Sequence, residues 1–123
     1  MDKDTLKLRT LSYAIDFDDT LTKYPEFFDS LMGKKFILTG RPKEDAPKLK
    51  KEYPDYEVLC FPFSWLAGMA IESEQVVEIL HQIARWKAKM VRDYQIDICF
   101  DDDYRLLKVI KEYNPSCLCL LVL

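Results

Sequence analysis

Histidine is almost missing from this chain, which has only His81, and its four cysteines form no C-x-x-C pair and have no histidine nearby. These absences exclude the usual zinc patterns and leave any histidine-based acid–base system resting on one residue. His81 lies between Leu80 and Ile83 in a helical stretch, where a structural place is the expectation. No apolar run approaches membrane-spanning length, and Met1-Asp2-Lys3-Asp4 does not read as a signal peptide. A cytoplasmic protein is therefore expected, with Cys60, Cys99, Cys117 and Cys119 reduced and buried in strand-like apolar runs. Positive charge is not in excess either. The formal net charge of −3 gives no support to broad electrostatic binding of nucleic acid, and the cluster Lys43, Lys48, Lys50, Lys51 reads as a solvated helix face. Linkers, repeats and low-complexity tracts are also lacking, which excludes a multidomain or disordered organisation.

What is present suits one folded domain over residues 1–123, with 49% hydrophobic and 32% charged residues. Five short segments rich in apolar and β-branched residues, at 11–17, 35–39, 56–61, 96–100 and 117–122, are the expected strands. Helical stretches separate most of them, at 25–32, 43–52, 73–94 and 103–113. Strands alternating with helices predict an α/β fold, a parallel sheet covered on both faces. The 73–94 stretch is long for one helix in a domain of this size, and a break or bend near Arg85-Trp86-Lys87 is expected.

The first segment runs into Asp16-Phe17-Asp18-Asp19-Thr20, three carboxylates within four residues at a strand end. Such groups repel one another and resist losing water, so a cation or a bound substrate is expected to balance them. Magnesium suits oxygen ligands and bridges carboxylates to phosphate. A polar turn with a helix N-cap is the competing explanation. Two further strand ends bear on the choice: the second strand closes on Thr39-Gly40-Arg41, and the fourth on Asp101-Asp102-Asp103. In parallel α/β sheets ligands bind outside the carboxyl ends of strands, so three tips here carry phosphate or metal chemistry.

These residues resemble the haloacid dehalogenase superfamily of aspartate-dependent phosphotransferases. Its D-x-D-x-T motif matches Asp16, Asp18 and Thr20; its strand ending in Thr or Ser matches Thr39; its acidic pair matches Asp101-Asp102. Its lysine matches Lys87, with Lys89 the alternative. The resemblance implies a three-layer, Rossmann-like fold with a five-stranded sheet in the order 5-4-1-2-3. It also implies a magnesium-dependent phosphomonoester hydrolase acting through an aspartyl-phosphate. Asp16 is then the nucleophile and Asp18 the general acid and base. Thr39 and Lys87 hold the phosphoryl oxygens, and Thr20, Gly40 and Arg41 complete the substrate-binding residues, Arg41 either meeting a phosphate or simply facing solvent. Magnesium falls to Asp16, the Asp18 backbone carbonyl and the acidic pair, with Asp102 favoured over Asp101 as direct ligand. Asp19 receives no chemical duty.

Family members acting on small metabolites often insert a cap domain, for which neither Leu21–Lys35 (15 residues) nor Pro62–Trp86 (25 residues) has room. The implied site is open. A nucleotide or other small phosphate is the expected substrate, with Phe61-Pro62-Phe63-Ser64-Trp65-Leu66 either an aromatic wall or core and subunit packing. Nucleic-acid terminal phosphates and a catalytically idle binding module are the alternatives; a two-component receiver domain fails because the third strand ends Leu59-Cys60-Phe61, without an acid there. The apolar run Cys117–Leu123 forms an edge strand in this order, so a homo-oligomer is also expected.

Overall fold

Strand residues that are apolar on both faces need cover on both sides, and the chain supplies it with two sets of helices. A computed structural model describes residues 10–62 and 73–123. The elements run β1 (Ser12–Ile15), an irregular turn at Phe17–Leu21, α1 (Pro25–Asp29), β2 (Lys34–Pro42), a 3-10 turn at Lys43–Asp45, α2 (Ala46–Glu52), β3 (Glu57–Phe61), α3 (Ser73–Asp93), β4 (Ile98–Asp101), α4 (Tyr104–Tyr113) and β5 (Leu118–Leu121). All strand pairs are parallel, in the order β3-β2-β1-β4-β5, which is the expected 5-4-1-2-3 read from the other edge. No helix among the described residues is long and apolar enough to cross a membrane.

Alternation along each central strand divides the core in two. On one face Ala14, Phe36, Leu38 and Cys99 pack with Ala88, Val91, Leu107 and Ile110 from α3 and α4. On the other, Tyr13, Ile15, Ile37 and Phe100 pack with Leu21, Phe28, Leu49 and Tyr56. One residue of slip in any strand would exchange the two sets, so the register is strongly specified.

The expected break at Arg85-Trp86-Lys87 is absent, and α3 runs unbroken from Ser73 to Asp93. Ile83, Ala84, Lys87, Ala88 and Val91 are all buried, a helical stripe that continues through the proposed break and keeps the helix on the sheet. At about 1.5 Å per residue it is long enough to cross the domain. Gln95, at φ 53°, ends it in the left-handed conformation common after helices. Of the aromatic run 61–66, Phe61 is buried, edge-on to Trp86 with ring centroids 5.6 Å apart, while Phe63, Ser64, Trp65 and Leu66 lie outside the described residues.

The helices before the two edge strands end alike. Lys50 donates to the carbonyls of Pro54 (3.0 Å) and Tyr56 (2.7 Å), and Lys111 to those of Pro115 (2.8 Å) and Cys117 (2.7 Å). Each lysine thus closes the loop into the next strand and places positive charge at a helix C-terminus. Lys50 is in this way a structural residue within the cluster read as a solvated face.

Candidate functional site

The strand order puts β1 at the centre with β2 and β4 beside it, so the residues following these three strands meet at one end of the sheet. Asp16 is the first residue past β1. Its N–H donates to the Phe100 carbonyl (2.9 Å) and its carbonyl accepts from the Leu21 N–H (3.1 Å), which pins both ends of the acidic turn. Inside the turn Asp18 is extended (φ −68°, ψ 130°) and Asp19 is left-handed (φ 61°), a conformation aspartate tolerates better than most residues. The Asp19 N–H donates to Thr22 Oγ1 at 3.0 Å, while its own carboxylate makes no hydrogen bond among the described residues.

Lys87 comes to this point from α3, with its side chain 2% exposed. Its Nζ donates to Asp16 Oδ1 at 2.9 Å and to Asp101 Oδ2 at 2.7 Å. Lys89 is directed elsewhere, 61% exposed and 4.0 Å from Asp93, so the ammonium that meets the carboxylates is that of Lys87. Although burial alone would favour the neutral amine, the two carboxylates raise the Lys87 pKa and hold it charged. One ammonium cannot balance both acids. Burial pushes the Asp16 carboxyl up to about 7 against the opposing pull of Lys87, and burial likewise raises Asp101.

One carboxylate oxygen from each of Asp16, Asp101 and Asp102 lies within 4.8 Å of the others. Three hard oxygen donors with one ammonium among them leave a negative excess, which suits a divalent cation such as magnesium. The two members of the pair differ. Asp101 is buried, with Oδ2 on Lys87 and Oδ1 accepting the Asp103 N–H at 3.0 Å. Asp102 is exposed, and among the described residues its carboxylate accepts from Thr20 Oγ1 at 3.4 Å, so it is the freer of the two to take an ion.

Thr39, 1% exposed, ends the apolar part of β2. Its oxygen accepts the Arg41 N–H at 3.1 Å, and its hydroxyl proton has no acceptor among the described residues. Arg41 grips Asp18 with two bonds, Nε to Oδ2 at 2.9 Å and Nη2 to Oδ1 at 2.8 Å. These bonds lower the Asp18 pKa and raise that of Arg41. Gly40 faces α3, where an added Cβ would lie 3.2 Å from Ile83 Cδ1. Thr20, expected among the substrate contacts, is fully buried and spends its hydroxyl on Asp102.

Of the residues singled out from sequence, Asp16, Lys87, Asp101, Asp102 and Thr20 are thus joined in one connected group. Thr39, Asp18 and Arg41 form a second, joined to the first through the acidic turn. Three neighbours of the site had no expected role: Phe17, whose ring lies 5.0 Å beneath the Arg41 guanidinium; Asp45, 3.5 Å from Arg41 Nη1; and Asp103, whose side chain caps α4 through the Arg105 N–H at 2.9 Å. Neither the Arg41–Asp45 pair nor the Phe17 contact was visible in the spacing: Arg41 lies in β2 before Pro42, where the helical four-residue rule does not hold, and the Phe17 contact depends on the shape of the turn.

Comparison with protein-family models, with curated proteins and with solved structures gives no match to this chain.

Proposed function

We propose that this chain is a magnesium-dependent phosphomonoester hydrolase that works through an aspartyl-phosphate on Asp16, in the manner of the haloacid dehalogenase superfamily it resembles. The observation that carries this reading is Lys87, a buried ammonium shared by Asp16 and Asp101 at the edge of a three-carboxylate cluster. A lysine placed there holds the nucleophile's free rotation in check and keeps Asp16 ionised enough to attack phosphorus. Asp16 then forms the new P–O bond as the ester oxygen departs. Asp18 carries the proton to that oxygen and later removes one from the water that releases phosphate. Thr39 donates its hydroxyl to a phosphoryl oxygen, and Lys87 balances charge gathering on phosphorus. Magnesium, when bound by Asp16 and Asp102 with Asp101 and the Asp18 carbonyl as the remaining candidates, supplies charge neutralisation between nucleophile and phosphate.

The stretch between Leu21 and Lys35 holds only the five-residue α1 and no cap, so the site is open there; a nucleotide or other small phosphate is the proposed substrate, and a terminal phosphate on a nucleic acid is the alternative that such an opening also admits. A cytoplasmic setting is supported by four free thiols, two of them buried. Self-association through the edge strand β5 is supported by the exposed Leu118, Leu120 and Leu121.

The test is turnover of an aryl phosphate, nucleotides, sugar phosphates and end-phosphorylated oligonucleotides against rising magnesium. Asp16→Asn should abolish turnover, Asp18→Asn should lower it by about a hundredfold or more, and Asp19→Asn should keep most of it. Absence of magnesium-dependent turnover across the whole panel overturns the proposal in favour of an idle binding module.

A further inference from the structure

The Nε–Nη2 edge of Arg41 is taken before any substrate arrives. Its Nε and Nη2 take both oxygens of Asp18 (2.9 and 2.8 Å), its Nη1 lies 3.5 Å from Asp45 Oδ2, and its guanidinium stacks on the Phe17 ring at 5.0 Å. The two bonds to Asp18 use the flat fork that fits any two-oxygen edge, and a phosphoryl group offers the same edge as a carboxylate. Asp18, for its part, is turned toward Arg41 by both oxygens, so its carboxyl group is oriented by the clasp while the pair stands. The pair is also placed for exchange. Arg41 and Asp18 side chains are 41% and 53% exposed, so swapping one oxyanion for another strands no buried charge. Phe17 and Asp45 hold the guanidinium from its other sides, through contacts that do not involve Asp18.

We infer that Arg41 is an exchangeable clasp, which holds Asp18 in the free protein and passes its two-nitrogen fork to the phosphoryl oxygens of the substrate, releasing Asp18 toward the leaving oxygen. This deepens the phosphatase reading and rests on it. Asp18 and the substrate phosphate then compete for one guanidinium, and the competition is measurable without turnover.

The probe is inorganic phosphate, titrated calorimetrically in magnesium into the parent, Asp18→Asn, Arg41→Ala and the double variant, with circular dichroism to confirm folding. Asp18→Asn should tighten phosphate by about tenfold, the size of one charge-assisted bidentate contact released for use. In the Arg41→Ala background that gain should disappear, whether phosphate binds weakly or below detection. No gain in the Asp18→Asn protein overturns the clasp, and so does an equal gain in both backgrounds, which would reflect only the loss of a nearby negative charge. If none of the four proteins binds phosphate, the phosphatase reading fails and the clasp with it. In steady state the Arg41→Ala loss should fall on KM more than on kcat. A residue that merely positioned Asp18 would show the reverse.

Discussion

Replacing Lys87 by Met keeps the length and apolar stem of the side chain and removes only its charge, so it isolates the electrostatics at the centre of the site. The ammonium lost is 2% exposed and leaves behind Asp101 at 2% and Asp16 at 13%. Removing one partner of a buried pair costs about 3–5 kcal/mol, because the surviving charges are stranded out of water. For a domain of this size about 4 °C of Tm accompanies each kcal/mol, so thermal unfolding with EDTA present should show a fall of about 12–20 °C. The pH dependence separates this cause from a packing defect. Asp16, raised from 3.8 to about 7, and Asp101, also raised, bind protons more tightly in the folded state than in the unfolded chain. Groups of that kind favour folding more strongly as pH falls from about 7 toward about 4, and without Lys87 they should do so to a greater extent. The deficit of Lys87→Met against the parent should therefore narrow between about pH 7 and about pH 5. A loss below about 1 kcal/mol, or one that does not narrow with acid, would contradict the account of Lys87 as a shared buried counter-charge.

Two further outcomes follow from other parts of the fold. Gly33, at φ 141°, leads into β2, and an added Cβ would collide with the Leu11 carbonyl oxygen that accepts the Lys34 N–H; Gly33→Ala should cost about 2 kcal/mol or more in urea unfolding, and a neutral effect would show that this turn is not constrained. The edge strand β5 exposes Leu118, Leu120 and Leu121 at 50%, 38% and 45%, and light scattering at micromolar concentration should report an oligomer that Leu120→Lys weakens; a monomeric parent would count against association there.

Much of the architecture was legible because parallel strands buried on both faces read as short apolar runs, and the helices between them fixed the layers. Boundaries were less so. The first strand stops at Ile15 rather than 17, because Phe17 turns out of the sheet to pack beneath Arg41. The break expected in α3 was a judgement from length, and it failed because the helix is held by a buried stripe that includes a charged residue. A lysine on an apolar face reads as an interruption until its partners are known.

Residue order along the chain was enough to set the alternation of strand and helix, hence the parallel sheet, and to place the acidic and hydroxyl residues at strand ends where backbone direction brings them to one side. It could not distribute their roles. Lys87 and Lys89 differ by two positions, and helical rotation alone turns one toward Asp16 and Asp101 and the other toward solvent. Asp101 and Asp102 are adjacent, but β4 ends at the first, which is buried on Lys87, while the second lies in the bend beyond the strand and is left open. Nor did any spacing suggest that Arg41 would hold Asp18, 23 residues away. These assignments depend on angles and distances between elements remote in the chain, which are set when the helices and the sheet pack together.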